Sequence, residues 1–172
     1  MAYTIEQFDK VVKDMKAGKD AYVTFGTWDS KPIEWLCVKL WDGREDRVLL
    51  VSRGSFFEDC CEYDSRYYEW RRSHIHYRLN GEVFDSAFSD EEKKHILNVY
   101  LSDVDSKDDV FLLSRDEADR RVKNRIGATS SSRWWLRDRY SDRYVYNAYD
   151  NDFDYNAPSG RRPIRPAIWL KK

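Results

Sequence analysis

Cysteine is scarce: the 172 residues hold three, Cys37, Cys60 and Cys61. An odd count, with two adjacent, is no disulfide framework and suits a reducing compartment or a particle assembled in one. The seven glycines and four prolines form no Gly/Ser-rich or Pro-rich linker, and no internal repeat is visible. Neither charge dominates. With 30 Lys and Arg against 31 Asp and Glu, the net charge is −1. Such a chain lacks the basic excess behind non-specific nucleic-acid affinity, so no nucleic-acid partner is expected. Long apolar runs are missing too, and a stretch such as Val48-Leu49-Leu50-Val51 is far too short to span a bilayer. No basic-then-apolar leader opens the chain, so the expectation is a protein without a standard secretory signal, cytoplasmic or carried on a phage virion. No nucleophile-elbow, phosphate-loop or dinucleotide fingerprint occurs. The length suits one α+β domain with a real core.

Aromatic residues make up 16% of the chain, with 7 Trp and 12 Tyr, more than a small core needs. Residues 4–17 read as an amphipathic helix, with Ile5, Phe8, Val12 and Met15 at helical spacing, a Thr4–Gln7 capping box and a stop at Gly18. Residues 21–25, 33–40 and 47–52 read as three strands of a meander. Residues 56–70 read as irregular, 71–79 as a helix with Ile75 and Leu79 on one face. Ser89 to Glu92 opens another helix with Ile96 and Tyr100 four apart. Residues 110–113 suggest a short buried strand, Ser114 with Glu117 caps a short helix to about Val122, and 165–170 suggests a last strand. Most tryptophans lie in or beside these strands and are expected in the core.

Residues 138–156 stand apart. Nineteen positions hold five Tyr, five Asp, three Asn and two Arg, with one each of Ser, Val, Ala and Phe. So polar a segment predicts surface loop and turn. Tyr supplies broad contact area for little rotamer entropy, and Asn, Asp and Ser supply adaptable hydrogen bonds, so the composition is also that of a binding surface. Lys, Glu, Gln, Met and Trp are all missing from it. Those five types are the ones unreachable from an Asn codon ending in a pyrimidine when only its first two bases change.

The segment lies between Trp134-Trp135-Leu136-Arg137 and Arg165-Pro166-Ala167. With these blocks the chain resembles the variable proteins of diversity-generating retroelements. The resemblance covers roughly residues 20–170. It runs through Pro32-Ile33-Glu34-Trp35, Leu49-Leu50-Val51-Ser52 and Trp70…Ser73…Leu79-Asn80…Phe84…Ala87-Phe88-Ser89…Glu92…Ile96. Phe111-Leu112-Leu113-Ser114 with Glu117-Ala118 continues it. Upstream it extends to a bacterial and phage domain family of uncharacterised function. Two stretches depart from the usual pattern: Asp138-Arg139-Tyr140 stands where many relatives carry Ser-Pro-Gly, and Pro163-Ile164-Arg165-Pro166 where Gly-Val-Arg-Pro is more usual.

The resemblance implies a C-type-lectin-like α+β fold, with short helices around a small, mostly antiparallel sheet. Residues 1–137 and 161–172 would be a constant scaffold, and 138–160 a long irregular surface rewritten by error-prone reverse transcription. It implies a non-enzymatic protein, without cofactor or metal, that binds a macromolecular ligand, a protein in the first instance. The recognition positions would be Tyr140, Ser141, Asp142, Arg143, Tyr144, Tyr146, Asn147, Tyr149, Asp150, Asn151, Asp154, Tyr155 and Asn156, with Val145 and Ala148 turned into the scaffold. The alternative is a fixed-surface structural or adhesion module of a phage tail or cell envelope.

Other chemistry is less well supported. Asp150, Asp152 and Asp154 mimic the start of a calcium loop, but Tyr155 and Arg161 stand where Gly and Glu are required. His74 and His76, two apart on a helix, face different ways and are expected to pack or hydrogen-bond locally. A small enzyme or metal site using these histidines with Cys60 is a third reading. Arg165 is expected to pair with Glu34, Arg161 and Arg162 to be solvated, and the Asp103-to-Asp109 acidic run to be a loop and helix-end feature.

Overall fold

The structure, a computed structural model, describes residues 4–42, 44–118, 133–149 and 152–172. Helix α1 (Ile5–Lys16) starts where Thr4 and Gln7 exchange the two hydrogen bonds of a capping box. It buries Phe8, Val11 and Val12; Ile5 is exposed, because the apolar stripe is narrower than the spacing suggests. Strands β1 (Tyr22–Trp28) and β2 (Lys31–Trp41) form a hairpin closed by Asp29 and Ser30, both at positive φ, the two-residue turn that matches strand twist. Gly26, at φ +72°, sits in a bulge of β1. A Cβ there would come within 2.7 Å of the Ala87 carbonyl and the Phe88 ring, so only glycine lets this strand meet the helical segment.

Strand β3 (Arg44–Ser52) follows, and the 56–62 stretch, read as irregular, is strand β4 (Phe56–Glu62), whose partner lies a hundred residues downstream. The segment read as one helix over 71–79 is a 3-10 turn, Trp70–Arg72, then α2 (His74–Arg78) capped by Ser73, a π turn over Leu79–Val83 and α3 (Phe84–Ala87). Ile75 and Leu79 are fully buried. Ser89 and Glu92 form their capping box, but α4 (Asp90–Lys93) is a single turn. Ile96 leaves it to bridge Leu170, and Tyr100 lies exposed on β5 (Val99–Leu101), which pairs with β6 (Ser106–Asp108). Strand β7 (Phe111–Leu112) is buried. Ser114 and Glu117 make both capping hydrogen bonds, 2.9 and 3.1 Å, on a turn over 115–118. The rest of that expected helix lies outside the described residues.

The polar tail is not a loop. Strands β8 (Trp134–Arg139), β9 (Val145–Tyr149) and β10 (Asp152–Asn156) form a three-stranded antiparallel sheet, β10-β9-β8. Strand β11 (Arg161–Ile164) returns to pair with β4, and β12 (Pro166–Lys171) inserts between β3 and β7 in the five-stranded sheet β1-β2-β3-β12-β7. Both ends of the tail are therefore pinned to the core. The fold is a small α+β arrangement of mostly antiparallel sheets with few, short helices. Trp35, Trp70 and Trp135 are fully buried, and the Trp35 indole N–H donates to the Phe25 carbonyl at 2.7 Å. Among the described residues no helix is long and apolar enough to cross a membrane.

Candidate functional site

The β8–β10 sheet has two unlike faces. Trp134 pairs with Ala148 and Trp135 with Asn147 in register, so the two pairs lie on opposite faces, Ala148 on the side of Tyr146 and Asn147 on the side of Val145. Trp134, Trp135, Leu136, Val145, Asn147 and Ala148 are all buried. The Trp135 ring meets Tyr63 edge-on at 5.6 Å, and the Tyr63 hydroxyl donates to the Arg137 carbonyl at 3.2 Å. Val145 and Ala148 thus turn into the scaffold.

Asn147 is fully buried, not a surface position. Its side-chain amide donates to Asn156 Oδ1 at 3.0 Å, which also accepts from Arg162 at 2.9 Å. Asn156 is half-buried, and Arg162 is a bonded strut rather than a solvated side chain. A polar side chain can sit on the inner face here because a neighbouring strand supplies its acceptor.

On the outer face tyrosines gather. Tyr140, Tyr144 and Tyr155 are between 39% and 47% exposed. Tyr140 and Tyr155 stack in parallel with centroids 3.9 Å apart. Tyr144 leans on Tyr155 at 5.4 Å, and Tyr146 meets Tyr140 edge-on at 5.3 Å. Tyr155 and Tyr146 are direct cross-strand partners, which is why residues nine apart share one face. The turn that brings Tyr140 back over β10 is closed by the Tyr140 and Ser141 N–H groups donating to the Tyr144 carbonyl at 2.8 and 3.2 Å. The neighbouring Tyr140, then partial desolvation, hold the Tyr155 phenol above its ordinary pKa.

Asp142 and Arg143 are exposed at the turn, and Ser141 is half-buried. Tyr146 is half-buried, with Arg115 over its ring at 5.2 Å and bonded to its hydroxyl at 3.4 Å. Asp154 is half-buried and paired with Arg133 at 2.6 Å. Tyr149 lies on β9; Asp150 and Asn151 fall outside the described residues. The structure therefore gathers Tyr140, Tyr144 and Tyr155 into one open cluster beside half-buried Tyr146, with Ser141, Asp142 and Arg143 on the adjoining turn; Asp154 and Asn156, in register with Asn147 and Val145, belong to the opposite face.

Two buried polar centres hold the frame beneath. Arg137 is almost fully buried. Its guanidinium donates to both Asp103 oxygens at 2.8 and 3.2 Å, to Glu117 at 2.5 Å and to the Leu112 carbonyl at 2.8 Å. Burial disfavours this charge, but the Glu117 and Asp103 carboxylates outweigh it and leave the guanidinium pKa above its usual value. The second centre is Asp108, which accepts from Trp70 Nε1 at 2.6 Å and Ser106 Oγ at 2.7 Å, and pairs with His76 Nε2 at 2.7 Å. Burial pushes its carboxyl up, yet the three hydrogen bonds win and set it below 3.8.

Asp103 and Asp108 are thus structural partners, not loose loop carboxylates; His76 packs locally against Trp70 and Tyr77, while its Asp108 partner lies 32 residues away. No local signal marks such pairings.

The second centre joins Ser, His and Asp but is no nucleophile triad. Ser106 Oγ lies 3.3 Å from the same Nε2 that Asp108 holds, the Ser hydroxyl donates to Asp108, and Nδ1 is buried with no hydrogen-bond partner. Among the described residues no group of three or more His, Cys, Asp or Glu could hold a metal ion.

Arg165 is not the partner of Glu34. Arg53 takes Glu34 at 2.9 Å, while the buried Arg165 guanidinium bonds the Ser52 and Arg53 carbonyls. Burial and the neighbouring Arg53 lower its pKa to about 10. It is a clamp on the end of β3.

No curated protein matches the chain. Residues 45–172 match the family described as a domain of unknown function, DUF6273. That span takes in most of the scaffold and the whole tyrosine surface, and the chain belongs to the DUF6273 family.

Proposed function

We propose that this is a non-enzymatic ligand-binding protein that presents the outer face of the β8–β10 sheet to a macromolecular ligand, a protein in the first instance. In this reading it is a variable protein of the diversity-generating-retroelement type on a C-type-lectin-like fold. The observation that carries it is the separation of roles within one short segment. Val145, Asn147 and Ala148 are locked inside, while Tyr140, Tyr144 and Tyr155 stand out as one stacked cluster. Tyr rings supply contact area, and Asp142, Arg143 and Ser141 at the rim tune which partner is accepted or refused.

The test is a display library of the full chain randomised at Tyr140, Ser141, Asp142, Arg143, Tyr144 and Tyr155, selected against a panel of unrelated purified proteins. The expected result is specific binders to several targets with unfolding midpoints close to the parent's. A library that is largely unfolded, or folded but barren against every target, would contradict the reading. Micromolar self-association of the parent, lost in Tyr144→Ala and Tyr155→Ala, would instead favour the fixed structural or adhesive module. A reverse transcriptase gene nearby, with a near-copy of the coding segment for 134–165 that differs only at adenines, would mark the surface as diversified.

A further inference from the structure

Next to the tyrosine face lies a cavity of about 360 Å³ walled by residues 68–71, by 102–105 between β5 and β6, and by 137–139 of β8. Its size is at the low end for ligand pockets and suits one long side chain rather than a whole small ligand. The wall is rigid. Asp64 accepts the N–H groups of Arg66, Tyr67 and His74 at 2.6, 2.8 and 2.8 Å, which fixes the 64–74 stretch, and Trp70 is tied to Asp108. It also adjoins the recognition surface, because Arg139 lines the cavity, lies 6.0 Å over the Tyr68 ring and directly precedes Tyr140.

The charges around the cavity do not cancel. Four carboxylates and three guanidiniums line it. Arg137 is consumed by Asp103 and Glu117, and Arg71 by Asp105 at 3.0 Å. Glu69 has Arg72 at 3.6 Å, and Arg139 leans to Asp142 at 3.7 Å. Asp138 remains. It accepts the Arg115 backbone N–H on Oδ2, and among the described residues no cationic side chain pairs with it. Burial pushes its carboxyl above its ordinary value, outweighing the Arg115 N–H and the nearby Arg137 charge, which lower it. Tyr68 and Trp70 add aromatic wall, but Arg139 already lies over the Tyr68 ring, so the preference for an incoming cation is carried by the Asp138 carboxylate.

We propose that this cavity seats a cationic side chain, Lys or Arg, of the protein that lies across the tyrosine face, with Asp138 as its carboxylate partner. The inference rests on the reading of that face as a recognition surface: residues 68–71, 102–105 and 137 of the cavity wall belong to the scaffold, while Asp138 and Arg139 open the surface segment itself. Ligands of this chain would then present a basic residue at one edge of their footprint.

The test is an amide-resolved NMR titration of the full chain with N-acetyl-arginine amide and N-acetyl-lysine amide, with N-acetyl-citrulline amide as the neutral comparator. At least one cationic probe should give saturable shifts confined to 68–71, 102–105 and 137–139, with roughly millimolar affinity for so small a contact. Asp138→Asn should weaken it about tenfold, the loss of one charge-assisted contact. Ser102→Trp, at an exposed wall position, should abolish it by filling the space. If Asp138→Asn fails to fold, Ser102→Trp and the citrulline comparator decide.

Equal binding of the citrulline probe, non-saturable shifts, or unchanged binding in Ser102→Trp would overturn the proposal. The variant carrying Tyr140→Ala, Tyr144→Ala and Tyr155→Ala should leave probe binding unchanged. A failed titration therefore counts against the cavity alone, and a failed library selection against the tyrosine face alone.

Discussion

The two faces of the β8–β10 sheet are made of neighbouring residues, yet they obey opposite constraints. On the Trp135 side Val145 and Asn147 are fully buried, Ala148 is buried beside Trp134 beneath the tyrosines, and Arg137 is held by three acceptor groups. Outward, Tyr140, Tyr144 and Tyr155 touch mainly one another. In the proposed reading, stability and recognition are thereby separated residue by residue along one chain segment. A substitution at 145 or 147 should be read in the melting curve, one at 144 or 155 in the binding curve.

The sharpest way to break this contrast is at its most constrained point. Arg137→Met should cost about 3–5 kcal/mol, since it leaves Asp103 and Glu117 without their cation in a half-buried site. Urea denaturation should show the midpoint falling accordingly, and a loss below about 1 kcal/mol would mean the ion-pair hub is dispensable. Val145→Ala should cost about 2 kcal/mol, from two lost methyls and the space they leave, with target binding by a selected variant retained once folded. Tyr144→Asn should change stability by no more than about 0.5 kcal/mol while removing most of that variant's affinity.

Acid should act on the scaffold side. Asp108 has a folded value below its unfolded 3.8, so its contribution is fully present above that value and is lost as pH falls through and below it. Denaturant midpoints should therefore drop more steeply on acidification in the parent than in Asp108→Asn. Equal slopes would mean the His76, Trp70 and Ser106 contacts do not hold the carboxylate ionised.

Local signals in the sequence carried much of this architecture. The Thr4–Gln7 and Ser89–Glu92 boxes, the three strands of the meander, and buried Ile75 and Leu79 follow from spacing and capping rules. What escaped depends on partners far away in the chain. The 138–156 segment reads as a loop because it has only Val145 on one face and Ala148 with half-buried Phe153 on the other; the apolar surface each face needs is lent by Trp135 and Trp134.

Ile96 and Tyr100 share a helical spacing by coincidence, because the Leu170 bridge draws Ile96 out of α4. Arg165 is the mate expected for Glu34, and only the fold shows that Arg53 takes that place. Asp138 shows no motif at all. Its significance comes from a cavity assembled from three separate stretches.

The central claim is a rigid frame beneath a surface free to change, and thermal unfolding of the variant carrying Tyr140→Asn, Tyr144→Asn and Tyr155→Asn tests it most directly. Losing the exposed ring contacts should cost about 1 kcal/mol, so the expected result is a cooperative transition within about 4 °C of the parent's. A midpoint lowered by more than about 10 °C, or a broad non-cooperative melt, would contradict it, because the rings would then be part of the frame itself.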